Sequence, residues 1–442
     1  MINRRTLLAT AAATGTAGAL AACSPSASKN DSGGGKGDKK LTFRLWDETA
    51  KKAYEESFAA FTKKHGWDVT VDVVPWNDYW TKLPLDISSG DIADVYWMNS
   101  ANFVQLQEAG NLLDITKVLD GGTDQWEKSV VDLYTRDGGL WGVPQLWDSI
   151  ALFYNEELLT KAGIDPSTLS FDPDADSDPL REAGRALTVD GAGKHPGDDG
   201  FSADQRKQFG VNISADRQAI IGPFLGDNGA VWEKDDQYTF ASPEGIAVFA
   251  YMADAVNKDK IAPSAADTNE NGDFTADLFV QGKLALFQSG PYNLHKVADG
   301  VGDSFSWKLA PPIAGPEGHK SLVHGVVAVG NAKAENSRQE GITLLLEWLG
   351  SAEGQKPIAT GGVAFPGNKE AQDDFLDYWK DKGQDVTVFV DAAKDAVEAD
   401  TGAKANAGLE AVMPIFQEIF IGRLPAKTGL PKAQKEGNAA ME

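Results

Sequence analysis

One cysteine, Cys23, stands among 442 residues, so no disulfide can form within the chain and burial must hold the fold. Histidine is scarce too. The five are scattered, and none pair at the i, i+4 spacing that sets two imidazoles on one helix face, which argues against a zinc or manganese site. There is no Gly-x-Ser-x-Gly elbow for a hydrolytic serine, and Gly361-Gly362 is a turn signal, not a phosphate loop. Beyond the N-terminus no apolar run approaches the ~18 residues of a membrane span. The longest, Ile150 to Tyr154 and Ile342 to Leu346, have the length of buried strands or helix faces. Positive charge is also in deficit: 41 Lys and Arg against 65 Asp and Glu give a net charge of −24. That balance argues against nucleic acid and anionic lipid as partners and is compatible with a neutral or cationic small ligand.

What is present begins at the N-terminus. Arg4 and Arg5 precede an uncharged, Ala- and Leu-rich stretch from Thr6 to Ala22, closing on Leu20-Ala21-Ala22-Cys23. The closing tetrad resembles a bacterial lipobox, and Asn3-Arg4-Arg5-Thr6-Leu7-Leu8 resembles a twin-arginine export signal. The expectation is a signal peptide over residues 1–22, a lipidated Cys23, and a flexible tether to residue 40 whose Gly, Ser and Lys content cannot pack a core. The remaining 420 residues, at a side-chain charge of −26 once Arg4 and Arg5 are gone, exceed what one core usually supports, so two lobes are expected.

Leu41 to Trp46 alternates with period two and reads as a strand. Asp47 or Thr49 then caps a helix carrying Tyr54, Phe58 and Phe61 on one face and ending at Gly66. Val69 to Val74 and Ile92 to Met98 read as the next strands. Between them Asp78 to Ile87 reads as a helix interrupted by Pro84, and a further helix spans about Asn102 to Glu108. Such alternation predicts an α/β fold with mostly parallel sheets flanked by helices. Ile150 to Tyr154, Leu284 to Gln288 and Val323 to Val329 are further strands. Glu156 to Ala162, Ile246 to Asn257, Phe274 to Gln281 and Glu340 to Leu349 read as helices. Residues 172–208, rich in Asp, Gly and Pro, break the rhythm, and residues 370–422 read as mostly helical.

Three local patterns fall in order along this frame: Leu85-Asp-Ile-Ser-Ser-Gly-Asp-Ile-Ala-Asp94-Val-Tyr, Gly142-Val-Pro144 with Leu152-Phe-Tyr154-Asn155, and Phe279-Val-Gln-Gly-Lys-Leu-Ala-Leu-Phe-Gln-Ser-Gly290-Pro-Tyr292. Together with the lipobox and tether they resemble the family 1 extracellular solute-binding proteins of ABC importers, the maltose-binding-protein-like class, over roughly residues 41–425. The resemblance implies a two-lobed periplasmic-binding-protein-like fold with a multi-segment hinge. One lobe is placed at residues 41–150 plus 324–364 and the other at 151–323 plus 365–442. It further implies a non-catalytic, monomeric protein, held outside the cytoplasm by its lipid anchor alone, that closes on a carbohydrate and delivers it to permease subunits.

A sugar presents an apolar ring face and a rim of hydroxyls, so its site needs aromatic rings beside carboxylates or amides, set at strand carboxyl ends. Trp46-Asp47 follows the first strand, and Asn99 ends the third. Trp147-Asp148 precedes the crossing strand, where the maltose-binding relatives carry an acidic ligand contact. Tyr292 stands where they carry a stacking Trp, and His324 lies by the second crossing. Trp46, Asp47, Asn99, Trp147, Asp148, Tyr292 and His324 are therefore the candidate ligand contacts. No cofactor is expected. Structural calcium is the one metal the sequence suggests, because Asp267 to Asp273 carries part of a calcium-loop spacing, with Leu278 where a bidentate Glu belongs, and Asp172 to Asp178 and Asp190 to Gly200 are oxygen-rich. The rival functions are a lipid-anchored glycoside hydrolase and a binding protein for a cationic solute such as a polyamine.

Overall fold

The computed structural model describes residues 39–442, apart from residues 398 and 403. Cys23, the signal segment and the tether lie outside the described residues.

Two sheets organise the chain. The first contains β1 (Lys40–Leu45), β2 (Asp68–Val73), β3 (Val95–Met98), β4 (Val143–Asp148), β10 (His324–Gly330) and β11 (Phe365–Pro366), in the order β11-β4-β10-β3-β1-β2. The second contains β5 (Ala151–Asn155), β6 (Val189–Asp190), β7 (Arg206–Val211), β8 (Leu284–Ser289) and β9 (Trp307–Ala310), in the order β9-β5-β8-β7-β6. β1 runs parallel to β2 and β3, while β10 runs antiparallel to both β3 and β4. The carboxyl ends of β1, β3 and β4 and the amino end of β10 therefore share one edge. In the second sheet β7 and β8 are parallel and β5 is antiparallel to β8 and β9, so the ends of β7, β8 and β9 share an edge with the start of β5. Only Ser149 and Ile150 separate β4 from β5, which brings the two edges together.

Local chemistry explains the first lobe. Helix α1 (Glu48–His65) starts on Asp47, whose carboxylate accepts from the Thr49 N–H at 2.8 Å, and stops at Gly66 in the left-handed region, φ 72°. Tyr54, Phe58 and Phe61 line its buried face. Helix α2 (Trp76–Ser89) begins two residues earlier than its sequence suggests and runs through Pro84 without a break. Helix α3 (Ser100–Glu108) follows β3.

Two expectations change. The span 172–208 is not featureless: Asp178 caps a helix at Pro179–Leu187, and Arg206–Val211 is a strand inside the second sheet. Residues 365–442 do not all belong to the second lobe. β11 pairs with β4, and Phe375 of the helix Gln372–Asp381 packs on Phe365 with ring centroids 4.2 Å apart, so this stretch stays on the first sheet. The helices Ala405–Ile421 and Ala426–Met441 then build the second core through Phe416, Ile419 and Leu430.

The crossings between lobes are tied side by side. Ile150 donates its N–H to Ser321 Oγ at 2.6 Å, and Ser149 Oγ donates to the Phe389 carbonyl at 2.7 Å. The short strands Ser321–Leu322 and Ala396–Val397 pair in parallel beside them.

Candidate functional site

On the first lobe an aromatic wall stands at the shared edge. Trp46, the residue after β1, meets Trp76 at 5.3 Å, Trp80 at 5.4 Å and Trp97 at 4.8 Å between ring centroids. Edge contacts near 77° and 69° hold the first and last of these. The wall is braced from behind: Tyr79 Oη donates to the Trp97 carbonyl at 2.7 Å, and Trp97 Nε1 donates to Tyr54 Oη at 3.1 Å. Trp76 keeps 44% of its surface exposed, so an indole face remains open.

On the second lobe the ends of β7 and β8 are locked by two buried amides. Asn212 donates to the Gln288 carbonyl at 2.9 Å and accepts the Gln288 N–H at 2.8 Å; Gln288 in turn donates to the Ala219 carbonyl and accepts from Ile313 N–H, both at 2.8 Å. Every polar atom of that frame is used, which fixes what projects from it. Asp216 projects after β7, one carboxylate oxygen accepting from the Gln218 and Ala219 N–H groups at 2.9 Å. Tyr292 projects after β8, on a short turn at Pro291–Asn293, with 44% of its surface exposed.

Asp148 and Tyr292 come from opposite lobes and reach the same space. Burial, then the charges of Asp216 and Asp148, raise the Tyr292 hydroxyl above its ordinary range. Burial pushes Asp148 up to about 8 and raises Asp216 as well. Neither carboxylate forms an ion pair among the described residues. His324 stands opposite Asp148 in the β4–β10 pairing, and burial pushes its ring down to about 4, so it is neutral at pH 7.

The structure thus gathers Trp46, Asp148, Tyr292 and His324 around the two facing edges and corrects two other candidates, Trp147 and Asn99. Trp147 is 2% exposed and packs on Phe365 at 4.7 Å. Successive residues of a strand point to opposite faces, so once Asp148 faces the cleft Trp147 must enter the core. Asn99 is buried and accepts from Asn102 Nδ2 at 2.8 Å, a bond that ties down the start of α3. Asp47 spends one oxygen on its helix cap, where it accepts from both Thr49 N–H and Thr49 Oγ1. Three residues were missed. Trp76 and Trp80 sit at i, i+4 on the first turns of α2, a spacing visible in the sequence but hidden by starting that helix at Asp78. Asp216 follows a strand whose Arg206, Lys207 and Gln208 gave no apolar signal.

The oxygen-rich loops are otherwise engaged. Asp267 and Asn269 lie in a helix at Ala265–Glu270, so their side chains do not converge as in a calcium loop. The Asp190 carboxylate accepts from the Ala192, Lys194 and Ser202 N–H groups within 2.9 Å, bonds that hold its loop closed. No group of three or more His, Cys, Asp or Glu side chains among the described residues is placed to hold a metal ion. No helix among them is long and apolar enough to cross a membrane.

Comparison with known proteins agrees with this geometry. The family profile described as bacterial extracellular solute-binding protein matches residues 46–356. UspC of M. tuberculosis is similar at 39% identity and a TM-score of 0.75, covering 91% of this chain and 100% of its own. The maltooligosaccharide ABC transporter solute-binding lipoprotein of Streptococcus pneumoniae TIGR4 is 26% identical over 374 residues, 84% of this chain and 81% of that protein. The arabinooligosaccharide-binding protein of Bacillus subtilis is 21% identical over 244 residues, and this match spans 52% of that relative's length.

Proposed function

The chain belongs to the bacterial extracellular solute-binding protein family, and on that premise we propose that it binds a sugar, an oligosaccharide above all, between its two sheet edges. It delivers that sugar unchanged to the permease subunits of an ABC importer. The observation that carries the reading is the facing arrangement of open aromatic rings and unpaired carboxylates. Trp76 and Tyr292 each expose 44% of their surface, one on either lobe, and the charges of Asp148 and Asp216 both reach the Tyr292 hydroxyl. Ring faces of that kind cover the apolar side of a pyranose, and carboxylates accept its hydroxyl protons. The named sugars of the relatives from Streptococcus pneumoniae and Bacillus subtilis support the same class.

The crossings at residues 148–151 and 321–324 are short and hydrogen-bonded to each other, the form a hinge takes when two rigid lobes close. Delivery to a permease needs the protein outside the cytoplasm and near the membrane, and lipidation of Cys23 at the end of a tether meets that need. The body works as a monomer.

One observation favours a second ligand class. Asp148 and Asp216 form no ion pair among the described residues, so a cationic solute such as a polyamine would supply a counter-charge. A thermal-shift screen of the purified protein with maltooligosaccharides, arabinooligosaccharides, monosaccharides and spermidine separates the readings. A ligand at 100 times its Kd stabilises the fold by about 2.7 kcal/mol. A shift with a sugar and none with spermidine supports the proposal, and the reverse result refutes it. Release of shortened sugar from the incubated protein would show a hydrolase instead.

A further inference from the structure

Two β-hairpins, one from each lobe, meet tip to tip through an ion pair. The first pairs Thr135–Arg136 with Gly139–Leu140 and turns through Asp137 and Gly138, whose φ angles are 54° and 78°. The second pairs Glu233–Lys234 with Gln237–Tyr238 and turns through Asp235 and Asp236, at φ 53° and 57°. Positive φ at both central residues is the mark of a type I′ turn, the connection whose twist matches two-residue hairpins. Asn and Gly fill such turns most easily. The second hairpin instead places two aspartates there, in a backbone region few side chains tolerate, and one of them is the residue that reaches the other lobe. Arg136 Nη2 lies 3.3 Å from Asp236 Oδ2.

Each tip is rigidly mounted. On the first lobe Trp141 Nε1 donates to the Arg136 carbonyl at 2.9 Å, and Tyr134 Oη donates to the Gly325 carbonyl of β10 at 2.6 Å. On the second, Asn438 accepts the Tyr238 N–H at 2.7 Å and donates to the Tyr238 carbonyl at 3.1 Å, which fastens the hairpin to the C-terminal helix. An ion pair between fixed mounts loses less side-chain entropy than one between mobile chains, and it forms only while the lobes hold their present separation. Arg136 and Asp236 also border two crevices, of about 360 and 510 Å³, that share Val397, Ala399 and Thr401, at and just after the strand Ala396–Val397. Rotation about the hinge would change the gap the pair spans.

We propose that Arg136 and Asp236 form an electrostatic clasp between the lobes that biases the ligand-free protein toward the lobe separation at which the pair is made. The clasp sets how far apart the lobes rest before any ligand arrives, and it is sensitive to ionic strength because both side chains are partly exposed.

The test needs no ligand, so its outcome is independent of the sugar reading. Spin labels at Lys52→Cys on α1 and Lys427→Cys on the C-terminal helix, in the full chain carrying Cys23→Ser, report the separation of the lobes by pulsed dipolar spectroscopy. Arg136→Gln, Asp236→Asn and the double variant are compared; Asn keeps the turn because it accepts positive φ. The population at the parent's lobe separation, relative to other separations, should fall about 1.5- to 5-fold in each single variant, the range of a surface ion pair. The double variant should fall no further, and 0.5 M NaCl should shift the parent protein alone. Identical distance distributions in all four proteins, or an additive shift in the double variant, would overturn the clasp. Melting curves confirm that each variant is folded.

Discussion

His324 and Asp148 stand directly opposite each other on neighbouring antiparallel strands, and burial drives both toward their neutral forms at pH 7. Side chains at opposed positions of an antiparallel pair share a face, so a histidine and an aspartate could have formed an ion pair here. They do not. The cleft instead keeps a carboxyl pushed up to about 8 beside an imidazole pushed down to about 4, which leaves the acid available to a ligand.

The first prediction is a pH dependence of the empty protein. Asp148 holds its proton in the fold up to about pH 8, while the unfolded chain releases it near pH 3.9. The native state thus binds more protons across that window, and stability falls as pH rises through it. His324 acts in the opposite sense, but only below about pH 6.5, where the unfolded chain gains a proton that the buried ring refuses. Between pH 6.5 and 8 the melting temperature without ligand should therefore decline, and Asp148→Asn should lessen the decline, the remainder coming from Glu233, pushed up to about 7 by burial, and the buried Asp227. A parent curve that rises over this interval contradicts the assignment.

Ligand binding should release protons. A hydroxyl donating to Asp148 favours the ionised carboxylate, so binding at pH 7 expels the proton held there. Titration calorimetry in buffers of different ionisation enthalpy reads that release as a buffer-dependent heat. Asp148→Asn should abolish most of the dependence, and a heat independent of buffer in the parent protein would remove Asp148 from the site.

Core and cleft tryptophans should separate cleanly. Trp147→Ala empties a packed position against Phe365 and should cost about 3–5 kcal/mol of stability. Trp76→Ala removes a half-exposed ring and should change the melting temperature little while weakening sugar binding roughly tenfold. Equal melting losses in the two variants would place Trp76 in the core.

The sequence shows most of the first lobe, because its chemistry is local. Period-two alternation marks β1, Gly66 marks the end of α1, and β3 is apolar enough to read as buried. It hides features that depend on the partner surface. The pair Trp147-Asp148 must straddle the sheet, yet nothing in the two residues says which one faces the cleft. β7 opens on Arg206, Lys207 and Gln208 at the flank of its sheet, so its pattern resembles a loop. Trp76 and Trp80 become a wall only when α2 swings them against Trp46, a contact between segments some thirty residues apart.

The hinge makes a stability prediction of its own. Ser321 is fully buried and its hydroxyl is the acceptor for the Ile150 N–H. Ser321→Ala leaves that donor without a partner and should cost about 1–3 kcal/mol. Chemical denaturation of the ligand-free variant measures it, and a loss within experimental error would show that the crossings are not coupled through this bond.

The most direct test of the central claim is isothermal titration of the sugar selected by the thermal-shift screen into the parent protein and into Tyr292→Ala and Asp148→Ala. The account predicts one sugar per chain, recovered unchanged. Each substitution should weaken affinity about ten- to a hundredfold, the equivalent of roughly 1–3 kcal/mol, with folding of the empty protein preserved. Unchanged affinity in both variants would contradict it, because the ligand would then sit somewhere other than between Tyr292 and Asp148.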